Sequence, residues 1–162
     1  MDLLRPHHVV SVDGMLYISD TGNHVIRVLN STRPENSATI GTIPVSKLTN
    51  KTGVDGSFET CTFIEPVLLT SSNNGQLLYV VENGETIRQL DLVNRSVTTV
   101  PHQPISNSWH DLIGMTWSYP VSFDNIVSVC YDGENRSITA LRSDGVLLVG
   151  NHSNGTQSLD SP

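Results

Sequence analysis

Short apolar runs alternate with polar turns along almost the whole chain. Leu16-Tyr17-Ile18 is an apolar run, Asp20-Thr21-Gly22-Asn23 is a turn, and Val25 to Leu29 is a return strand. The period is that of strands rather than helices. A second copy follows: Leu77-Leu78-Tyr79-Val80-Val81, then the turn Glu82-Asn83-Gly84-Glu85, then Thr86 to Leu90. Both hairpins carry a tyrosine, then an acidic residue, a Gly-containing turn and an Ile-Arg pair at 26–27 and 87–88. A weaker third copy is read at Val129-Cys130-Tyr131-Asp132-Gly133 to Ile138-Thr139-Ala140-Leu141, with Thr139 in place of the arginine. Ahead of each hairpin lies a strand that starts at proline: Pro6 to Val12, Pro66 to Thr70 and Pro120 to Phe123. Proline is tolerated there because a first residue needs no ladder donor. Behind each hairpin lies another short strand: 38–41, 96–100 and 146–150. Four strands per unit, three times over, predict an all-β chain. Its expected form is three four-stranded antiparallel blades that stack on one another. The expected blade limits are 1–52, 53–111 and 112–155, with 156–162 as a tail or the start of a further linker.

Composition agrees with this pattern. Val, Ile and Thr supply 43 of the 162 residues, whereas Ala and Lys occur twice each. β-Branched side chains suit pleated strands, and the common helix formers are scarce. The net charge of −7 argues against a nucleic-acid partner, whose affinity rests on clustered Lys and Arg. No apolar run approaches the ~20 residues a membrane span needs.

The first hairpin, Leu16 to Val28, closely resembles the NHL repeat, named after an Asn-His-Leu triplet. Asn23 and His24 match, and Val25 stands for Leu. Residues 53–66 resemble that family's Gly-x-x-Asp-Gly…Ala-x-Phe-x-x-Pro segment between blades, with Cys61 at the small position. The resemblance implies a β-propeller, commonly six-bladed, of which this chain would hold about three blades. Three blades leave two open faces. The chain is therefore expected to be a fragment of a longer one, or to pair with a second copy of itself.

The candidate residues read mainly as structural. Asp20 is expected to accept hydrogen bonds from turn amides, Gly22 to supply a positive φ, Asn23 to tolerate a left-handed conformation, and His24 to bond nearby backbone. Arg27 and Arg88 are expected to share one role, pairing with Asp20 and Glu82; Gly84 serves the second turn. The six histidines, at 7, 8, 24, 102, 110 and 152, form no zinc-protease spacing. No nucleophile elbow or phosphate loop is present, so no catalytic residue, cofactor or metal ligand is assigned. Cys61 and Cys130 both lie in strand-like surroundings and read as buried free thiols.

Six Asn-x-Ser/Thr sequons, at Asn30, Asn50, Asn94, Asn135, Asn151 and Asn154, point to an extracellular or lumenal glycoprotein. Residues 1–6 lack the features of a secretion signal, which is then expected upstream. The functional expectation is a non-enzymatic scaffold that presents loops and a top face to a protein or a glycan; the long polar segments 31–50 and 101–111 fit either binding loops or mere insertions. The alternative is part of an enzyme propeller similar to the peptide-amidating lyase, in which histidines from several blades would converge on a central metal.

Overall fold

A computed structural model describes residues 2–42, 53–100, 115–117, 126–133, 137–143 and 147–152. Its strands form three antiparallel sheets. The first contains β1 (Pro6–Val12), β2 (Met15–Asp20), β3 (Val25–Asn30) and β4 (Ser37–Ile40), in chain order. The second places β6 (Pro66–Ser71), β7 (Leu77–Glu82), β8 (Thr86–Asp91) and β9 (Ser96–Thr99) side by side, with the two-residue β5 (Gly56–Ser57) added along β9. The third runs β11 (Ile126–Asp132), β12 (Ser137–Arg142), β13 (Leu147–His152), and closes with β10 (Met115–Trp117) against β13.

The sheets are stacked blades, since the second is walled on both faces. Side chains alternate across a strand. Leu78, Val80 and Leu90 therefore meet Ile26, Val28 and Ile40 of the first sheet. Tyr79, Val81 and Ile87 meet Ile126, Ile138 and Ala140 of the third. The first strands of the three sheets lie beside one another, β1 against β6 and β6 against β11. The result is a partial β-propeller of three blades.

Residues 53–63 are the wedge between the first two blades. Phe58, Cys61 and Phe63 are buried among the facing strands, and the Gly41 amide donates to the Phe58 carbonyl. Gly41 has a φ of 91° and a missing side chain that Phe63 would meet.

The third blade is phased one strand earlier than the sequence pattern suggests. Ile126 pairs with Arg142 as Pro6 pairs with Asp20 and Pro66 with Glu82. All three ladders slip at the same place, just after that pair. The Tyr131 hairpin is thus a first-to-second-strand hairpin, and its relatives are β1–β2 and β6–β7. Arg142 stands where the earlier blades have a carboxylate, and Asp132, opposite Ser137, stands where the first blade has Val12 opposite Met15. Pro120 to Phe123 lies outside the described residues.

The cysteines differ. Cys61 is buried, and burial pushes its thiol up to about 11. Cys130 is exposed on β11, the first strand of its blade, so it is not the core thiol expected from its apolar neighbours.

Candidate functional site

The turns singled out in the sequence form a repeated ion-pair device. Arg27 Nε donates to Asp20 Oδ2 at 2.8 Å, and Arg88 Nη1 donates to Glu82 Oε1 at 2.8 Å. Each arginine sits opposite the residue two positions before its carboxylate, Ile18 or Val80. Each carboxylate also accepts the amide two residues before the next-strand proline: Leu4 to Asp20, Ile64 to Glu82. The residue between, Arg5 or Glu65, takes a left-handed φ of 48° or 46°. Such values are uncommon for non-glycine residues and recur here at one repeat position.

The turns differ by one residue. Four residues separate Asp20 from Val25, and three separate Glu82 from Thr86. Gly22 does not carry the positive φ; His24 does, at 58°. Gly22 is needed for close approach, because a Cβ there would sit 2.6 Å from the Leu4 side chain. In the second turn Asn83 and Gly84 take φ values of 49° and 68°. Asp20 binds no turn backbone amide; its partners are Leu4, the Asn23 side-chain amide and Arg27.

His24 reaches across to the next blade, where its Nδ1 accepts the Glu65 amide at 3.1 Å. His8 Nδ1 accepts the Leu69 amide at 3.3 Å. Thr21 and Ser19 donate to the Pro66 and Val67 carbonyls. Four side chains of the first blade thereby satisfy backbone groups at the start of β6, where an edge strand otherwise leaves them unpaired. These histidines are acceptors in a seam between blades. His7 is exposed on β1, His152 lies at the end of β13, and His102 and His110 lie outside the described residues.

The charges in this device respond to pH with opposite signs. Burial pushes the Asp20 carboxyl up, but bonds from Asn23, the Leu4 amide and Arg27 outweigh it and hold it below the usual aspartate range. A carboxyl depressed in the folded state contributes stability above its unfolded pKa of about 3.9 and loses it as pH falls. The denaturation midpoint is expected to drop below about pH 4, and Asp20→Asn is expected to flatten that limb. For Glu82, burial raises the carboxyl despite Arg88 and two amides. Its contribution therefore shrinks as pH rises past the unfolded value of about 4.3.

Sequence reasoning missed a cleft between the second and third blades. It has a volume of about 270 Å³ and is lined by Ser72, Asn74, Gln76, Asp91, Asn94 and Tyr131 among others. Tyr131 stacks on Tyr79 with ring centroids 6.0 Å apart. Ser72 Oγ donates to Asn74 Oδ1, Asn74 Nδ2 to Gln76 Oε1, and Asn94 Nδ2 to Asp91 Oδ2. The lining is rich in amides and has one aromatic side. Its residues come from two different blades, so no local motif announces it.

The sequons are placed unevenly. Asn94 is exposed at the rim of this cleft, and Asn30 accepts from Thr32 and Arg33 in a local turn. Asn151 is paired on both sides within the third sheet. Asn50, Asn135 and Asn154 lie outside the described residues, as does loop 101–111. Residues 31–39 of the other loop are exposed. Among the described residues no group of three His, Cys, Asp or Glu is arranged to hold a metal ion. No helix there is long and apolar enough to cross a membrane.

No protein-family model matches the chain. It is 35% identical over 88 residues to NHL repeat-containing protein 2 of Bos taurus and 33% identical over 88 residues to that of Homo sapiens. The Gallus gallus protein of the same name is 36% identical over 89 residues. Each match takes in 54% of this chain, which spans about 11% of the length of these relatives. Among solved structures, a structural-genomics protein of unknown function from Bacteroides thetaiotaomicron shares the fold. Its TM-score is 0.62 at 23% identity, over 91% of this chain and 34% of that one. The repeated hairpins, the stacked blades and these similarities together make the chain a relative of the NHL repeat-containing proteins, folded as part of a β-propeller.

Proposed function

We propose that this chain is a non-enzymatic β-propeller scaffold that binds a partner at the cleft between its second and third blades. The carrying observation is the lining of that cleft, where Asn74, Gln76, Asp91 and Asn94 surround Tyr131. Amides and a carboxylate beside an aromatic ring match hydroxyl-bearing ligands, and a volume of about 270 Å³ suits one sugar ring or one polar side chain. The ionic groups of the neighbouring turns are already paired within the fold, so they hold the blades together and are not left over for chemistry. An extracellular or lumenal setting fits the sequons; of those described, Asn94 is the one that stands exposed beside the cleft. The partner is thus a glycan, or a protein presenting a polar side chain.

Glycan-array and peptide-display binding of the 162-residue chain tests this reading. Bound ligands are expected to weaken at least tenfold with Gln76→Ala, which alters an exposed side chain. Binders that ignore both Gln76→Ala and Tyr131→Ala would overturn the cleft as the site. Stoichiometric zinc or calcium on the protein, held by histidines of several blades, would overturn the non-enzymatic reading in favour of the lyase-like alternative.

A further inference from the structure

Twice in this chain a guanidinium sits with a carboxylate and an aromatic ring. Arg88 binds Glu82 and Asp55 and lies 5.5 Å from the Phe63 ring centre. Arg95 binds Glu59 and lies 5.1 Å from the Phe58 ring centre. The cleft between the second and third blades has two members of such a set, the Asp91 carboxylate and the Tyr131 ring. Among the described residues no Lys or Arg lines it.

The charge of Asp91 exceeds what its turn needs. Asp91 Oδ1 accepts the Val93 and Asn94 amides at 2.9 and 2.8 Å, closing the turn from β8 to β9. Asn30 holds the same place in the first blade, opposite Met15 as Asp91 is opposite Leu77. Its Oδ1 accepts the Thr32 and Arg33 amides at 2.9 and 3.0 Å. In the third blade Asn151, opposite Ser137, stands there. A neutral amide oxygen thus suffices to close this turn.

Burial pushes the Asp91 carboxyl up, but the Asn94 amide, the Asn94 side chain and the Val93 amide outweigh it and hold it below the usual aspartate range. The carboxylate is half-buried and belongs to no ion pair among the described residues. Arg95, close by in the chain, is committed to Glu59 and Phe58. Asn94 Nδ2 donates to Asp91 Oδ2, which leaves Asn94 Oδ1 as a further acceptor. Tyr131 is braced by its stacking on Tyr79, and Leu77 and the exposed Val93 add apolar wall.

We propose that this cleft takes the side chain of a lysine or arginine presented by a basic protein partner. Asp91 and Asn94 Oδ1 receive its N–H groups, the Tyr131 ring faces its charge, and Leu77 and Val93 cover its methylenes. The net charge of −7 favours approach of such a partner. The inference rests on the cleft reading above and narrows it from polar side chains in general to cationic ones.

NMR of the isotope-labelled 162-residue chain tests it, by the side-chain amide signals of Asn74, Gln76 and Asn94. The probes are Nα-acetyl-lysinamide, its arginine counterpart, and the neutral form of the first acetylated on Nε. Saturable shifts are expected with both cations, and binding at least fivefold weaker with the neutral form. Asp91→Asn is expected to weaken the cations at least fivefold. It keeps the turn closed as Asn30 does, and unchanged backbone signals in the other blades verify the fold. Tyr131→Leu is expected to weaken the cations and the neutral form alike. Equal binding of charged and neutral lysine, or cation binding indifferent to Asp91→Asn, overturns the inference. A methyl glycoside that Gln76→Ala weakens and Asp91→Asn does not overturns it too, while upholding the cleft as the site. No saturable shift with either cation also overturns it, whatever the glycan and peptide arrays show.

Discussion

Arg88→Ala is expected to cost about 3–5 kcal/mol of folding stability, measured by chemical denaturation, because it leaves a buried carboxylate without its cation. Arg88 and Glu82 are both fully buried, and Arg88 also holds Asp55 and the Thr62 carbonyl. The substitution therefore strips the second blade and the wedge segment at once. For a chain whose total stability is on the order of 5–15 kcal/mol, that is a large fraction. The same reasoning sets a contrasting expectation. The joint replacement Glu82→Leu with Arg88→Met removes both charges together and exchanges them for apolar volume. Such exchanges at buried pairs are often neutral or stabilising. The double variant is expected to lie within about 1.5 kcal/mol of the parent chain, the usual tolerance for volume-conserving core changes. A double variant as damaged as Arg88→Ala would show that the cost comes from the lost contacts to the wedge and not from the stranded charge.

Phe63→Ala carries the second large effect, about 3–5 kcal/mol by the usual range for large aromatic deletions in a core. Phe63 has no solvent exposure and packs among side chains of both the first and second blades. It also lies against Arg88 and beside Gly41. The cavity would open at the junction of two blades, where neither sheet can close it without moving the other. Because Phe63 touches Arg88, the two single costs are not expected to add, and a double-mutant cycle measures their coupling. A cycle that summed within about 0.5 kcal/mol would mean that ring and guanidinium act independently.

The blade pattern was legible because each long strand announces itself locally. The hairpins at Leu16 to Leu29 and Leu77 to Leu90 combine an apolar run, a turn glycine and a return run, and the structure makes them β2–β3 and β7–β8. The pairing of Arg27 with Asp20 and Arg88 with Glu82 was readable from repetition alone, since both pairs bracket a turn of similar length. What escaped is what depends on a partner strand. β5 and β10 have two and three residues, and only the edge they join makes them strands. The phase of the third blade escaped because an acidic-Gly turn serves two different hairpins in these blades. Asp132-Gly133 looked like Asp20 to Gly22, whereas the ladder equates Asp132 with Val12, at the turn from first to second strand. The close approach of Gly133 to the Asn73 side chain, like that of Gly75 to Asp13, marks this turn, and no single-strand signal carries it. The left-handed residue fell on His24 because it ends the single 3-10 turn Thr21–Asn23, with its amide bonded back to the Thr21 carbonyl.

The two hairpins differ in turn length and in the acid they carry, yet both acids meet their arginines at 2.8 Å. The ladder accounts for this: Asp20 stands opposite Val25 and Glu82 opposite Thr86, and in each case the arginine follows two residues later on the return strand. Asp20 meets the nearer Nε and the longer Glu82 the farther Nη1. Strand register, and not the loop, thus sets the reach of each ion pair, so the loop beyond the last ladder pair changes length between repeats without parting acid from base.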